Sequence, residues 1–194
     1  MPPPPAFCAG ADTRALADPT KDKLLGIYEG FLRVWRSPLL TVAAVGGPAV
    51  GAGVNLALAC DVRIASESAR FDVRFLKLGL HPGGGHTWLL RRAVSEQAVA
   101  AMTMCGDVID GVEAARVGLV WRCVRDADLM REARRLAESA AATSEELLRR
   151  TKDTLRATER MSRLEDAVEM EVDRQLWSAH RPEFAEKIRD LLRR

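Results

Sequence analysis

The spacing of apolar residues along the chain predicts short strands alternating with helices. Between Pro19 and Trp35 apolar residues recur every three or four positions, which is typical of an amphipathic helix. Ser37-Pro38 is expected to end that helix. A continuous apolar run over residues 39–45 predicts a buried strand, and a second helix is expected after Gly53. Such alternation indicates an α/β fold.

The rest of the chain adds shorter elements and then a helical tail. We predict strands at residues 62–65 and 119–124, a strand or extended segment at residues 71–76, and a helix starting near Thr87. From Asp126 onward the sequence is charged and carries apolar stripes at helical spacing. We therefore divide the chain into an α/β core at residues 1–125 and a C-terminal helical segment at residues 126–194.

Two glycine-rich turns, Phe7–Asp12 and Gly46–Gly53, are the candidate chemical feature of this sequence. Each can direct backbone N–H groups at one point. Two N–H groups that converge on a carbonyl oxygen form an oxyanion hole, which stabilises the negative charge that develops during reaction. The second turn leads into the predicted helix, so its N–H groups lie at a helix N-terminus. There the helix dipole also favours negative charge.

Composition narrows the class of protein. The 194 residues are 47% hydrophobic and 29% charged, which suits one globular domain. The net charge of +2 gives no electrostatic case for nucleic-acid binding. No apolar run reaches the length of a membrane span, and the N-terminus lacks the apolar core of a secretory signal. The four cysteines have no CxxC spacing, so we expect reduced thiols, no metal and a cytoplasmic location.

Three linked motifs resemble the crotonase superfamily, which includes the enoyl-CoA hydratases and isomerases. They are FCAGAD, AAVGGPAVGAGVNLALACD and ARFDVRFLKLGLHPGGGHTWLLRR, and GDVIDGVEAARVGLVWRCV further on also matches. The resemblance runs from Ala6 to the C-terminus. It implies a crotonase-like α/β fold of ββα units, with C-terminal helices that pack between subunits of a homotrimer or hexamer.

The resemblance also implies a ligand and a binding site. The family binds acyl-CoA thioesters, so coenzyme A would be part of the substrate and no separate cofactor is expected. By position, the oxyanion-hole donors are the N–H groups of Ala11 and Ala52. The remaining substrate-binding residues by position are Ala9, Gly10, Asp12, Arg14 and Gly51. We expect no nucleic-acid or membrane partner.

The acid and base positions of the family are empty in this chain. The two hydratase glutamate positions are occupied by Asn55 and Phe75, and an aspartate position of some isomerases is Gly83. None of these side chains exchanges a proton at neutral pH. His81 and His86 lie nearby, and a histidine has a suitable pKa for acid–base work. Our hypothesis is that one of them replaces a missing glutamate; the alternative is that both make structural hydrogen bonds.

Three functions are therefore compared. The first is an acyl-CoA enzyme that stabilises a thioester enolate. The second is a non-catalytic acyl-CoA-binding or subunit-interaction protein, which the empty carboxylate positions favour. The third, a nucleotide-binding enzyme, is disfavoured because Gly51-Ala52-Gly53 lacks the third glycine of a dinucleotide fingerprint and no P-loop lysine follows.

The N-terminus departs from the family pattern. Family members have strands and a helix before the FCAGAD motif, and a strand leads directly into it. Here the proline run at residues 2–5 stands in that place. Because proline donates no N–H, this run cannot form a central strand. We therefore expect a family member that lacks its N-terminal portion.

Overall fold

The computed structural model describes residues 5–193, apart from the side chains of residues 13 and 15. Most of the proline run considered above lies outside the described residues. The chain forms two compact units, of which the first ends at Ser139 and the second begins at Ala140. The boundary between the α/β core and the C-terminal helical segment, which we placed after residue 125, stays a prediction.

Six strands occur in the described residues and form two sheets. They are β1 (Val42–Val45), β2 (Pro48–Val50), β3 (Val62–Ser66), β4 (Arg70–Asp72), β5 (Ile109–Asp110) and β6 (Arg122–Val124). One sheet has the order β1-β3-β6 and is parallel throughout, with Ala44 opposite Ile64 and Ala65 opposite Cys123. The other has the order β2-β4-β5, in which β2 and β4 are parallel and β5 is antiparallel.

Nine helices accompany these strands within residues 5–193. They are α1 (Lys21–Arg36), α2 (Ala52–Ala59), α3 (His86–Ala93), α4 (Glu96–Thr103), α5 (Gly111–Arg116), α6 (Leu129–Ala141), α7 (Glu145–Thr158), α8 (Leu164–Ala179) and α9 (Pro182–Leu192). Short 3₁₀ turns occur at Thr13–Leu16, Leu76–Leu78 and Asp126–Asp128. This order of strands and helices, with helices at the C-terminus, confirms the predicted α/β class.

Helix α1 begins two residues later than the sequence suggested. Thr20 caps its N-terminus by accepting a hydrogen bond from the Lys23 N–H (3.3 Å), and Ser37 ends it. Along α1, Phe31 is buried, as the helical spacing of apolar residues predicts. The strand predicted over residues 39–45 is observed as β1, which covers only residues 42–45 of the predicted run.

Two parts of the structure differ from the predicted strands. Of the strand or extended segment predicted over residues 71–76, only residues 71–72 belong to a strand, β4, because Arg74 adopts a positive φ of 54° and the chain turns there. Within the second glycine-rich turn, Pro48–Val50 forms a strand that we did not predict. Its partners are backbone groups of β4 and of Cys8, so pairing needs no apolar side-chain pattern.

The core of the first unit lies around α2. Val54, Ala57 and Leu58 of this helix are buried against residues of both sheets. Among the largest fully buried side chains are Phe71 of β4 and Leu90 of α3. Burying side chains of this size stabilises the unit by about 1.5–3 kcal/mol each. Because residues of α2 and β4 share this core, their burial holds the two elements together.

Within the second unit, one cluster of charged and aromatic side chains joins α7, α8 and Arg181, the residue that precedes α9. The guanidinium groups of Arg150 and Arg181 both lie over the ring of Trp177, at 3.9 and 4.9 Å from its centroid. Glu146 pairs with both arginines, at 3.1 and 3.2 Å. The apolar stripe of α8 is exposed, as its members Leu164, Val168, Val172 and Leu176 show. Assembly through these helices stays a prediction.

Candidate active site

A cavity of about 440 Å³ in the first unit brings the two glycine-rich turns together. Ala9, Gly10 and Ala11 line it from the first turn, and Val50, Gly51 and Ala52 line it from the second. Most of the remaining wall is apolar and comes from Leu16, Leu24, Ile27, Val73, Phe75, Leu78 and Leu80. Four other lining residues carry polar side-chain groups, namely Tyr28, Asn55, Arg74 and His81. Such a cavity suits a ligand with an apolar chain.

The backbone N–H groups of Ala11 and Ala52 donate no hydrogen bond within the described part of the chain. Ala52 is the first residue of α2, where a helix has no internal acceptor for its N–H. The neighbouring Gly51 N–H is occupied, since it donates to the Asp72 carbonyl oxygen (2.9 Å). Within residues 5–193, neither the Ala11 nor the Ala52 N–H has a hydrogen-bond acceptor.

A backbone ladder holds the first turn beside the second. The Cys8 N–H donates to the Pro48 carbonyl oxygen (3.2 Å), and the Val50 N–H donates to the Cys8 carbonyl oxygen (2.9 Å). Gly53, at the start of α2, packs directly on Cys8: a Cβ added there would collide with the Cys8 carbonyl oxygen and come within 2.9 Å of Cys8 Cβ. The glycine at position 53 therefore permits the close approach of the two turns.

Asn55 and His86 form a buried hydrogen-bonded pair beside the cavity. Asn55 Nδ2 donates to the Gly83 carbonyl oxygen (3.0 Å), and this places Asn55 Oδ1 against His86 Nδ1 at 2.8 Å. Since Oδ1 can only accept, His86 Nδ1 carries the proton and donates it. Both residues are 1% exposed. The carboxamide of Asn55 is therefore fixed in one orientation.

His86 is a neutral imidazole at physiological pH. Burial lowers the pKa of His86 from 6.5 to about 4. Its Nε2 is buried and has no hydrogen-bond partner in the part of the chain that the structure describes, and the Phe75 ring packs against the imidazole with centroids 5.3 Å apart. His86 is not among the cavity-lining residues. A buried His86 that donates to Asn55 agrees with the alternative hypothesis of a structural hydrogen bond. The catalytic role of His86 stays a prediction.

His81, in contrast, lines the cavity and is exposed. Its Nδ1 lies 2.8 Å from the Pro82 carbonyl oxygen. Because a carbonyl can only accept, Nδ1 carries the proton in the neutral ring and Nε2 keeps its lone pair. His81 thus offers a proton acceptor at the cavity wall.

The other predicted site residues divide into two groups. Phe75 lines the cavity, together with Ala9, Gly10 and Gly51. Asp12 and Arg14 are not lining residues: Asp12 caps the Thr13–Leu16 turn by accepting a hydrogen bond from the Arg14 N–H (2.9 Å), and the two side chains are 3.5 Å apart. Their predicted role in substrate binding stays untested.

Sequence reasoning missed two polar residues of the cavity, Tyr28 and Arg74. Tyr28 is the only tyrosine of the chain and lies on the predicted helix α1. A single polar aromatic residue on an amphipathic helix could have been proposed as a candidate from the sequence. Arg74 lines the cavity and pairs with the nearly buried Asp72, with a Nη2–Oδ2 distance of 2.6 Å. No sequence pattern indicates that pair, because it depends on the turn after β4.

The described residues form neither a metal centre nor a membrane-spanning helix. Within them, no group of three or more histidine, cysteine, aspartate or glutamate side chains is placed to hold a metal ion. No helix among residues 5–193 is long and apolar enough to cross a membrane. All four cysteines are free thiols.

Comparison with known proteins points to one family. The family model for enoyl-CoA hydratase/isomerase matches residues 3–188. A Mycobacterium tuberculosis protein named "Probable enoyl-CoA hydratase EchA14" is 46% identical over 192 residues, covering 94% of this chain and 74% of that protein. This chain is therefore shorter than that relative.

Solved structures agree with this assignment. The crystal structure of an enoyl-CoA hydratase from Bacillus anthracis has a TM-score of 0.87 and 28% identity, covering 96% of this chain and 74% of that one. A Thermobifida fusca structure in complex with acetoacetyl-CoA has a TM-score of 0.82 and 30% identity, covering 90% and 74%. On the family-model match, the sequence identity and the shared fold, this chain belongs to the enoyl-CoA hydratase/isomerase family of acyl-CoA-processing enzymes.

Proposed function

We propose that this chain binds an acyl-CoA thioester in the cavity and stabilises its enolate through the N–H groups of Ala11 and Ala52. The observation that carries the proposal is that both residues line one cavity and that neither N–H has an acceptor within residues 5–193. Removing a proton from the α-carbon of a thioester, or adding a nucleophile to its double bond, moves an electron pair onto the carbonyl oxygen. Two preorganised donors stabilise that charge.

His81 is the group we assign to proton transfer. In hydration of an enoyl thioester, Nε2 would accept a proton from water as the oxygen bonds to the third carbon, and the electron pair of the double bond would move onto the thioester oxygen. The enolate would then take that proton back from His81 Nε2 at the second carbon, which restores the neutral imidazole. The same base could instead move a proton along the chain in isomerisation. We therefore include both reactions in the proposal.

Substituting Ala52 by proline tests the oxyanion hole. Proline lacks the N–H, yet the first position of a helix tolerates it. The quantity to measure is the ratio of the affinity for butanoyl-CoA to the affinity for the corresponding S-butyl thioether, which has no carbonyl. We expect this ratio to fall by about tenfold in Ala52→Pro, because one hydrogen bond to the carbonyl is lost. The control is Glu96→Pro, at the first position of α4, which should leave the ratio unchanged. An unchanged ratio in Ala52→Pro would contradict the assignment.

Substituting His81 by glutamine tests the proton-transfer role. We expect turnover of but-2-enoyl-CoA, followed by mass spectrometry and chromatography, to fall by about 100-fold or more, with binding nearly unchanged. His180→Gln, at the end of α8, is the matched control. Equal turnover in the His81→Gln and wild-type proteins would exclude His81 as the acid–base group.

A second candidate function is binding of acyl-CoA without catalysis. What favours it is that Asn55 and Phe75, which line the cavity, cannot exchange protons. Wild-type protein that binds butanoyl-CoA and but-2-enoyl-CoA but leaves both chemically unchanged over hours would support this second function over the first.

A further inference from the structure

A second cavity, of about 170 Å³, lies between helices α1, α2 and α3 in the first unit. Its lining side chains are all apolar or aromatic. They come from Phe31, Leu32 and Trp35 of α1, Ala59 of α2, and Trp88 and Leu89 of α3. We call this space the apolar cleft. A hydrocarbon chain is the ligand chemistry that suits such a lining.

Helix α1 lines the larger cavity first and the apolar cleft next. Its positions 24, 27 and 28 face the cavity, and its positions 31, 32 and 35 face the cleft. Residues at this spacing form one continuous stripe along one face of a helix. The cavity and the cleft are therefore consecutive spaces along the same face of α1.

Helix α2 shows the same order. Ala52 and Asn55 line the cavity, and Ala59, four residues after Asn55, lines the cleft. Ala59 is about 10 Å from Ala52 along the helix axis. The cleft therefore lies beyond the cavity in the direction that leads away from the proposed donor at Ala52.

Two aromatic rings and a glycine turn separate the two spaces. Tyr28 lines the cavity, Phe31 lines the cleft, and their rings are in contact with centroids 5.9 Å apart. Gly83 lines the cavity and Gly84 lines the cleft. A Cβ added to Gly84 would lie 2.6 Å from Phe31 Cζ and 2.9 Å from Tyr28 Cδ1, so the turn packs on both rings. We call the two rings and this turn the aromatic partition.

The aromatic partition limits how far a hydrocarbon chain can extend from Ala52. Each methylene group that enters an apolar cavity raises affinity by about fourfold. Methylene groups alongside the α1 stripe as far as Tyr28 make this contribution. A longer chain meets Phe31, which is 4% exposed and packed on Gly84. Because closely packed side chains do not make room without cost, further methylene groups add no affinity.

We infer that the Tyr28–Phe31 pair sets the maximum length of the acyl chain, so that the protein selects short-chain over long-chain acyl-CoA thioesters. The inference rests on the proposed function, because it takes the thioester carbonyl to lie at Ala11 and Ala52. The apolar cleft is then a space that the wild-type protein keeps closed to the acyl chain.

The test is isothermal titration with saturated straight-chain acyl-CoA thioesters from butanoyl-CoA to decanoyl-CoA. For the wild-type protein we expect the affinity to rise by about fourfold per methylene group in the shorter members and then to level off. Phe31→Leu removes the ring atom that faces Gly84, and Tyr28→Ala/Phe31→Ala removes both rings. The ratio of the affinity for decanoyl-CoA to that for butanoyl-CoA should rise by about fourfold in the first variant and by about tenfold or more in the second.

Leu32→Ala is the matched control. Leu32 lies next to Phe31 on α1 and lines the cleft, beyond the aromatic partition. Because the acyl chain of the wild-type complex ends before the cleft, this variant should leave the affinity ratio unchanged. Urea unfolding of each variant shows whether it is folded. If the double variant does not fold, the wild-type series and Phe31→Leu decide the question.

The outcomes separate this inference from the proposed function. A wild-type affinity that rises without a break up to decanoyl-CoA would overturn the length limit alone, as would a lower ratio in Leu32→Ala, since the chain would then already occupy the cleft. An unchanged ratio in folded Phe31→Leu would also overturn it. Failure of the wild-type protein to bind any member of the series would overturn the proposed function and this inference with it.

Discussion

Replacing Gly53 by alanine is expected to weaken both the fold and thioester binding. The new Cβ would collide with the Cys8 carbonyl oxygen, a backbone atom that cannot rotate away. Relief requires the Cys8 segment to move from α2, and overpacking of this kind costs about 1–3 kcal/mol of unfolding free energy. Because that segment leads to Ala11, we also expect the dissociation constant for butanoyl-CoA to rise by about tenfold or more.

Gly26→Ala is the matched control for this variant. Gly26 lies inside α1, and a Cβ added there meets no atom within 4 Å. Since alanine is the better helix former by about 1 kcal/mol, Gly26→Ala should raise the unfolding free energy slightly. Urea unfolding and thioester titration of both variants provide the measurements. If Gly53→Ala is as stable as the wild-type protein and binds as well, the turns do not depend on this close approach.

Acidification from pH 6.5 to pH 4 is expected to destabilise the first unit through His86. The pKa of His86 is lowered by burial to about 4, whereas an unfolded histidine has its ordinary value near 6.5. Between these values the unfolded state binds a proton that the folded state does not. Stability therefore falls as the pH decreases, by about 3 kcal/mol at pH 4. Above pH 6.5 the contribution is fully present.

His86→Asn separates this effect from the titration of carboxylates. Asparagine can still donate to Asn55 Oδ1 but does not titrate. The substitution can change the free energy of unfolding by the same amount at every pH, but the part of its pH dependence that comes from His86 should disappear. His180→Gln removes a histidine from the end of α8 and should leave the profile unchanged. Identical pH dependence of unfolding in His86→Asn and wild-type proteins would show that His86 does not cause it.

The fold class and the glycine turns could be predicted from sequence because both depend on local patterns. The apolar stripe that predicted α1 follows from helical geometry, and the second glycine turn does lead into α2. Strand β2 could not be predicted, because it has only three residues, begins with a proline and lies inside a glycine-rich turn, so it carries no strand-like pattern of its own. The early end of β4 depends on the positive φ of Arg74, a conformation that arginine rarely adopts.

The polar part of the candidate site depends on distant contacts that no local pattern records. His81 and His86 are five residues apart and of the same type, yet one is exposed and the other is buried. What distinguishes them is Asn55, which lies 31 residues from His86 along the chain. Tyr28 reaches the cavity only because α1 packs beside the Gly83–Gly84 turn. Such differences follow from tertiary packing, so sequence reasoning left both histidines as equal candidates.

The attachment of the Cys8 segment has a consequence for how the two proposed donors respond to a ligand. Ala52 belongs to a helix that is buried in the core, whereas the backbone leading to Ala11 is tied to β2 by two hydrogen bonds around Cys8. Few backbone bonds imply a low free energy of local opening. In the proposed complex the N–H of Ala52 is therefore the fixed donor, and the N–H of Ala11 is the one whose position a ligand can change at lower cost.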